Sequence, residues 1–215
     1  MSTRDLTPGP RLCDTGAMQF CDDPSIDPKE AAILQSAFVA FARYGLRRTS
    51  MADIAEGAGM SRPALYLHYA NKEDIFNKLV RLHFRRSEQA VARVLAEDGP
   101  PAERLLAAMQ AVDGTAVEAM LNSPHADEIL SANQPFTQDE VQEAHARIIG
   151  TIADWISRGV AAGRLSLAGL DTTPEEIAAT LMAAKFGIKA QAKDFADYRA
   201  AQARLAAIWG KALGG

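Results

Sequence analysis

The chain has 215 residues, 48% of them hydrophobic and 23% charged, which is ample for a packed core in one large or two small domains. No apolar run reaches the roughly 18 to 20 residues of a membrane-spanning helix, and the N-terminus lacks the basic start and apolar stretch of a secretory signal, which points to a cytoplasmic protein. The formal net charge of −4 is unevenly spread: residues 28–86 carry ten Lys/Arg against five Asp/Glu, while both flanking stretches are acidic. That asymmetry fits a segment that meets nucleic acid, attached to a body that does not touch phosphate.

Residues 1–27 are polar and rich in Pro and Asp, and read as a disordered leader. The only two cysteines, Cys13 and Cys21, fall there and are too few for a structural zinc site. From Pro28 onward the helical period dominates. Ile33, Leu34, Ala37, Phe38 and Phe41 form one apolar stripe, stopped at Gly45. Ser50 and Asp53 carry the spacing of a capping box for a short helix that bears Ile54, Ala55 and Ala58 and ends at Gly59. A second short helix starts at Ser61, with Pro63 in its first turn; because the residue before a proline resists the helical region, Arg62 is an alternative cap. Asn71 caps a helix that runs to about Ala96, a rod of roughly 35 Å.

Gly99-Pro100-Pro101 breaks that rod. One helix is expected from there to about Leu121, a short one from Ser123-Pro124, a long one ending near Gly163, another from Thr173-Pro174 to about Lys193, and a last one over Tyr198–Leu213. No strand pattern and no internal repeat is present, so the fold class is all-α. The domains expected are a helix-turn-helix unit over 28–76 and a helical remainder over 77–215.

Two short helices joined through Ala58-Gly59-Met60 behind a longer helix make a helix-turn-helix, with Ile54, Ala58, Met60 and Leu65 turned inward to hold the crossing angle. The run Thr49–Phe76 resembles the DNA-binding domain of the TetR family of bacterial regulators. The resemblance is carried by Thr49, Ile54-Ala55, Ala58-Gly59-Met60-Ser61, Leu65-Tyr66, His68-Tyr69 and Asn71-Lys72-Glu73. It covers about residues 30–80; beyond them only the length and the helical pattern agree. Leu46-Arg47-Arg48, Leu67 and the long leader depart from the family pattern.

In such a domain the second short helix shows its first residues to the major groove. Thr49 and Ser50 carry hydroxyls suited to phosphate or to plain capping. Ser61, Arg62 and Ala64 open the recognition helix; Arg62 could reach a guanine edge or a phosphate, and Ala64 a thymine methyl. The resemblance implies that Tyr66, His68 and Lys72 meet the DNA backbone, and that Tyr69 belongs to the core. Arg43, Arg47 and Arg48 would add general attraction, or simply be solvated.

The resemblance further implies a homodimer built on the last two helices, for which Leu181, Ala184, Ile188, Leu205, Ile208 and Trp209 are suitable, although the same residues could serve a monomer core. A two-fold symmetric operator would follow. It also implies a small-molecule effector that releases a repressor from its operator, coupled through the long helix starting at Lys72. Candidate effector contacts are Met109, Met120, His125, Phe136, His145 and Trp155, with plain core as the alternative. Their apolar character favours a hydrophobic or aromatic ligand.

No metal and no cofactor is expected, and no enzyme. A di-metal carboxylate bundle needs two inward Glu-x-x-His pairs, whereas Glu143-Ala144-His145 and His125-Ala126-Asp127-Glu128 have the wrong spacing, and no nucleophile elbow or phosphate loop is present. The competing reading is a helical protein-interaction module of the same fold.

Overall fold

The computed structural model describes residues 26–114, 116–121, 123–125 and 138–214. These form the helices α1 (Pro28–Arg48), α2 (Met51–Gly57), α3 (Arg62–Tyr66), α4 (Lys72–Ala96), α5 (Pro101–Asp113), α6 (Ala116–Leu121), α7 (Gln138–Ala161), α8 (Pro174–Gln191) and α9 (Phe195–Gly214), with no strand among the described residues. Cys13, Cys21 and Phe136 lie outside the described residues. No described helix is long and apolar enough to cross a membrane.

Contacts divide the chain into two units. The first comprises described residues 26–76 and 123–125, the second those from 77 to 121 and from 138 to 214. Residues 123–125, counted in sequence with the C-terminal domain, thus belong to the N-terminal unit; Ser123 Oγ donates to the carbonyl of Ala42 at 2.5 Å. The short helix expected from Ser123 falls on residues outside those described beyond His125.

In the N-terminal unit, Asp27 caps α1, its carboxylate accepting from the backbone N–H of Lys29 and Glu30 at 2.9 and 3.1 Å. Asp27 and the buried Ile26 therefore belong to the folded unit rather than to a leader. The stripe Ile33, Leu34, Ala37, Phe38 and Phe41 is buried throughout, and Phe41 meets Phe76 edge-on at 5.9 Å. Gly45 interrupts the helix with φ 80° and ψ 160°, a conformation open to a residue without Cβ. Helices α1 and α2 approach closely: Ser36 Oγ donates to the carbonyl of Ile54 at 2.8 Å and also lies where a Cβ on Gly57 would be.

The C-terminal unit is built on one core. Val91, Leu95, Leu105, Ala108, Met109, Val112, Ile148, Ile152, Ile156, Ile177, Leu181 and Met182 are buried together. In this unit α9 packs on α5 and α8, and α7 on α8. At the α5–α9 crossing Gly210 permits contact of backbones, since a Cβ there would sit 2.5 Å from Ala102 Cα and N. Helix α8 opens on a capping box: Glu176 N–H donates to Thr173 Oγ1, while the Glu176 carboxylate accepts from the Thr173 N–H at 2.9 Å.

The helix expected to run unbroken from Pro101 to Leu121 is two. Gly114 takes φ 58°, its N–H closing α5 on the carbonyl of Gln110, and α6 begins only at Ala116.

Candidate nucleic-acid interface and the C-terminal core

Helix α2 starts with a full capping box. Asp53 N–H donates to Ser50 Oγ at 3.2 Å, and the Asp53 carboxylate accepts from Ser50 N–H at 2.8 Å and Ser50 Oγ at 2.7 Å. These bonds, the hydroxyl's first, hold the Asp53 carboxyl below the ordinary aspartate range. The start of α2 thus already carries a negative charge, which would repel a phosphate brought to it. Thr49, the other hydroxyl expected to face phosphate, points inward: it is 1% exposed and donates to the carbonyl of Gly45 at 2.7 Å.

After the turn at Gly59, where φ is 67°, Ser61 caps α3 by accepting from the N–H of Ala64 at 3.3 Å. The cap is therefore Ser61, and Arg62 is the first helical residue despite the proline that follows it. Leu65 is fully buried and is the single buried residue of this helix. Ser61, Arg62, Pro63, Tyr66, Leu67 and His68 are exposed, Ala64 is half-buried, and Leu67 is 87% exposed.

Arg62 and Tyr66 stand one turn apart and meet. The Arg62 guanidinium donates to the Tyr66 hydroxyl at 3.3 Å and lies 5.6 Å from the ring centroid, so cation–π attraction and a hydrogen bond together bias both rotamers. Tyr69, half-buried, donates its hydroxyl to Glu30 Oε1 at 2.7 Å, tying the end of the motif to the first turn of α1. Burial, then the Glu30 carboxylate, push the Tyr69 phenol well above its ordinary range.

Lys72 opens α4, and Asn71 caps it, accepting from Asp74 N–H at 2.8 Å. The Lys72 ammonium donates to the carbonyls of Arg47 and Thr49, both at 2.9 Å. Two of its three protons are thus engaged inside the protein, which leaves one for an outside acceptor. The structure gathers Ser61, Arg62, Tyr66 and His68 on one short exposed segment, keeps Ser50 in its own capping box, and turns Thr49 away.

The residues singled out for an effector fall in both units. Met109 is fully buried in the C-terminal core, Trp155 packs against that core, and Met120 falls on α6. His145 is held between the rings of Phe84 and Phe186, at 4.9 and 4.8 Å. His125, by contrast, belongs to the N-terminal unit, where it lines a surface cleft of about 570 Å³ with Ser36, Arg43, Tyr44, Asp53 and Glu56.

The dimer candidates split as well. Leu181 is 0% exposed and turns into its own unit's core, not outward. Ala184, Ile188, Leu205 and Trp209 are half-buried, and Ile208 is 67% exposed. Next to them α8 and α9 expose Ala179, Ala183, Phe186, Ala200, Ala203 and Ala207.

Comparison with known proteins agrees with this architecture. The family described as "Bacterial regulatory proteins, tetR family" matches residues 33–79. The repressor KstR2 of Mycobacterium tuberculosis is 39% identical over 56 residues, 26% of this chain and 28% of the repressor, so the chain matches little more than a quarter of that relative's length. The regulator TtgR of Pseudomonas putida is 30% identical over 149 residues, covering 63% of this chain and 69% of the regulator. In three dimensions, a transcriptional regulator from Cytophaga hutchinsonii superposes with a TM-score of 0.70 at 18% identity, over 88% of this chain and 100% of its own. An all-helical chain with an N-terminal helix-turn-helix is the class these observations define. Within that class, the chain belongs to the tetR family of bacterial regulatory proteins.

Proposed function

We infer that the chain is a sequence-specific DNA-binding transcriptional regulator, a repressor that leaves its operator when a small molecule binds the C-terminal unit. The observation that carries this is the exposed edge of α3: one buried leucine fixes the helix, while Arg62 and Tyr66 are paired on its solvent face. A guanidinium so placed suits a guanine edge or a phosphate, and a tyrosine hydroxyl suits a phosphate. Lys72 and the arginines of α1 add positive charge around it. Related chains bear the name of repressor, as KstR2 does.

The operator is read as a two-fold site by a homodimer. Support comes from the small and apolar residues exposed on α8 and α9, with Ile208 the most exposed large one. The dimer contact therefore moves from Leu181 to Ile208 and the exposed alanines around it.

Fluorescence anisotropy on the DNA flanking its own coding sequence tests the reading. The double variant Arg62→Ala, Tyr66→Phe should bind at least about tenfold more weakly, roughly 1.4 kcal/mol, and wild-type affinity should fall steeply with salt. Unchanged affinity in the double variant, or a flat salt response, would overturn it.

A further inference from the structure

Asp113 ends α5 inside the C-terminal core, 3% exposed. Its carboxylate accepts from Lys185 Nζ at 2.6 Å, from the Tyr198 hydroxyl at 3.0 Å to each oxygen, and from Gln202 Nε2 at 2.7 Å. Lys185 is 1% exposed, and Tyr198 and Gln202 are 0% exposed. Such a sealed pair is electrically complete: one positive and one negative charge, with the carboxylate's lone pairs filled.

The groups around it are not complete. One turn beyond Lys185 on α8 lies Lys189, half-buried and in no ion pair among the described residues. Among the described residues Asp113 is the one carboxylate whose charge acts on it, and Asp113 is already matched by Lys185. Burial, then the Lys185 charge, bring the Lys189 ammonium down to about 8, so it stays largely protonated at neutral pH. Beside these lysines an aromatic ladder crosses α4, α7 and α8. His83 meets Phe84 at 5.3 Å, Phe84 meets His145 at 4.9 Å, and His145 meets Phe186 at 4.8 Å, each edge to face.

Burial and the two lysines keep both imidazoles neutral at pH 7; His83 is brought down to about 4 and His145 is lowered in the same direction. Each neutral ring therefore offers one N–H donor. His83, His145 and Lys189 retain partial exposure, whereas Lys185, Tyr198 and Gln202 do not. Lys185, Tyr198 and Gln202 are sealed with Asp113, and His83, His145 and Lys189 form the partly exposed rim beside them.

We propose that this rim binds a small aromatic carboxylate: the anion pairs with Lys189 and accepts from His83 and His145, and its ring packs against Phe84 and Phe186. One uncompensated ammonium calls for one negative charge, which a carboxylate supplies and a phosphate dianion exceeds. The edge-to-face ring ladder calls for a flat apolar body. The proposal rests on the C-terminal unit being the sensing half, and adds one negative charge to the hydrophobic or aromatic ligand expected from sequence.

The probes are benzoate and 2-naphthoate, compared with benzamide, benzyl alcohol and inorganic phosphate, by calorimetry on the full chain without DNA. The two carboxylates should bind, and the neutral analogues and phosphate at least tenfold more weakly. Lys189→Met should lose tenfold or more in carboxylate affinity, while Lys189→Arg retains most of it; matching thermal melts show that both variants are folded. Imidazole NMR should show the His145 pKa rising when 2-naphthoate is bound. Benzamide binding as well as benzoate, no carboxylate binding at millimolar concentration, or an unaltered Lys189→Met would overturn the proposal. A separate anisotropy measurement asks whether bound 2-naphthoate releases DNA. Binding without release keeps the site and removes its assignment as the effector site.

Discussion

The ammonium of Lys72 donates to the carbonyl oxygen of Thr49 at 2.9 Å, so the first residue of α4 holds the residue that leads into α2. It makes the same bond to Arg47. Lys72 is therefore a brace as well as a candidate phosphate contact, and the two roles make different predictions. Lys72→Met leaves two carbonyls without their charged donor and should cost about 1.5–3 kcal/mol in chemical denaturation. If the remaining ammonium proton also neutralises a phosphate, the slope of log affinity against log salt should flatten by about 0.9. A lower affinity with an unchanged slope would assign Lys72 to bracing alone.

The two neighbouring hydroxyls should separate cleanly. Ser50→Ala removes the capping box of α2 and should destabilise by about 1 kcal/mol, as N-cap losses do. Thr49→Val keeps the buried volume but gives up the hydroxyl bond to Gly45, so it too should lower stability while leaving the salt slope of DNA binding as in wild type. A flattened slope in Thr49→Val would show that the hydroxyl reaches phosphate after all.

Two glycines in helices should respond to alanine with opposite signs. Gly210→Ala drives a Cβ into Ala102 at 2.5 Å, backbone included, and must push α9 from α5; overpacking of this kind costs about 1–3 kcal/mol. Gly150 on α7 has no atom within 4 Å of the place a methyl group would take, and Gly150→Ala should stabilise by up to about 1 kcal/mol through helix propensity. Paired thermal melts of the two variants check both signs.

Breaking the buried pair from one side should be severe. Asp113→Asn strands the Lys185 ammonium in the core, where an uncompensated charge costs about 3–5 kcal/mol. Combining it with Lys185→Met removes the stranded charge and should recover much of the loss. A double variant no more stable than Asp113→Asn would mean that Tyr198 and Gln202, not the charge, dominate.

Acid should weaken the C-terminal unit through His83. Its pKa is lowered from 6.5 to about 4, chiefly by burial, so between these values the unfolded chain binds the proton and the folded chain does not. Stability from this group is complete above pH 6.5 and is lost as pH falls toward 4. At about 1.36 kcal/mol per pH unit the upper bound is roughly 3 kcal/mol. Urea titrations at pH 7 and pH 5 should show the drop, and His83→Phe should reduce the difference.

What was legible in sequence was local. Ser50 with Asp53, Ser61, Asn71 and Thr173 all announce their helix starts because a cap and its partner lie within three residues of each other. The stripe from Ile33 to Phe41 is legible for the same reason, one periodicity on one helix. What escaped depends on distant partners. Thr49 turns inward in a loop braced from Lys72, 23 residues on; Asp113 finds Lys185, Tyr198 and Gln202 from 72 to 89 residues away. Their one trace in sequence is a lysine set in the apolar run Leu181–Ile188. Leu181 was ambiguous because α8 is apolar on more than one face, and periodicity does not say which face a neighbour covers. Gly114 has the sequence setting of a tolerated helix glycine, and only its left-handed φ reveals the break.

The single anchor of α3 has a consequence for how such a protein changes over time. Since Leu65 alone ties that helix inward, its exposed neighbours can be replaced with little effect on folding, and the proposed reading head of five residues can acquire a new vocabulary without rebuilding the body that carries it. Stability and target choice are thereby inherited almost independently. A library randomised at Arg62, Ala64, Tyr66 and Leu67 should yield mostly folded proteins that differ in the DNA they select.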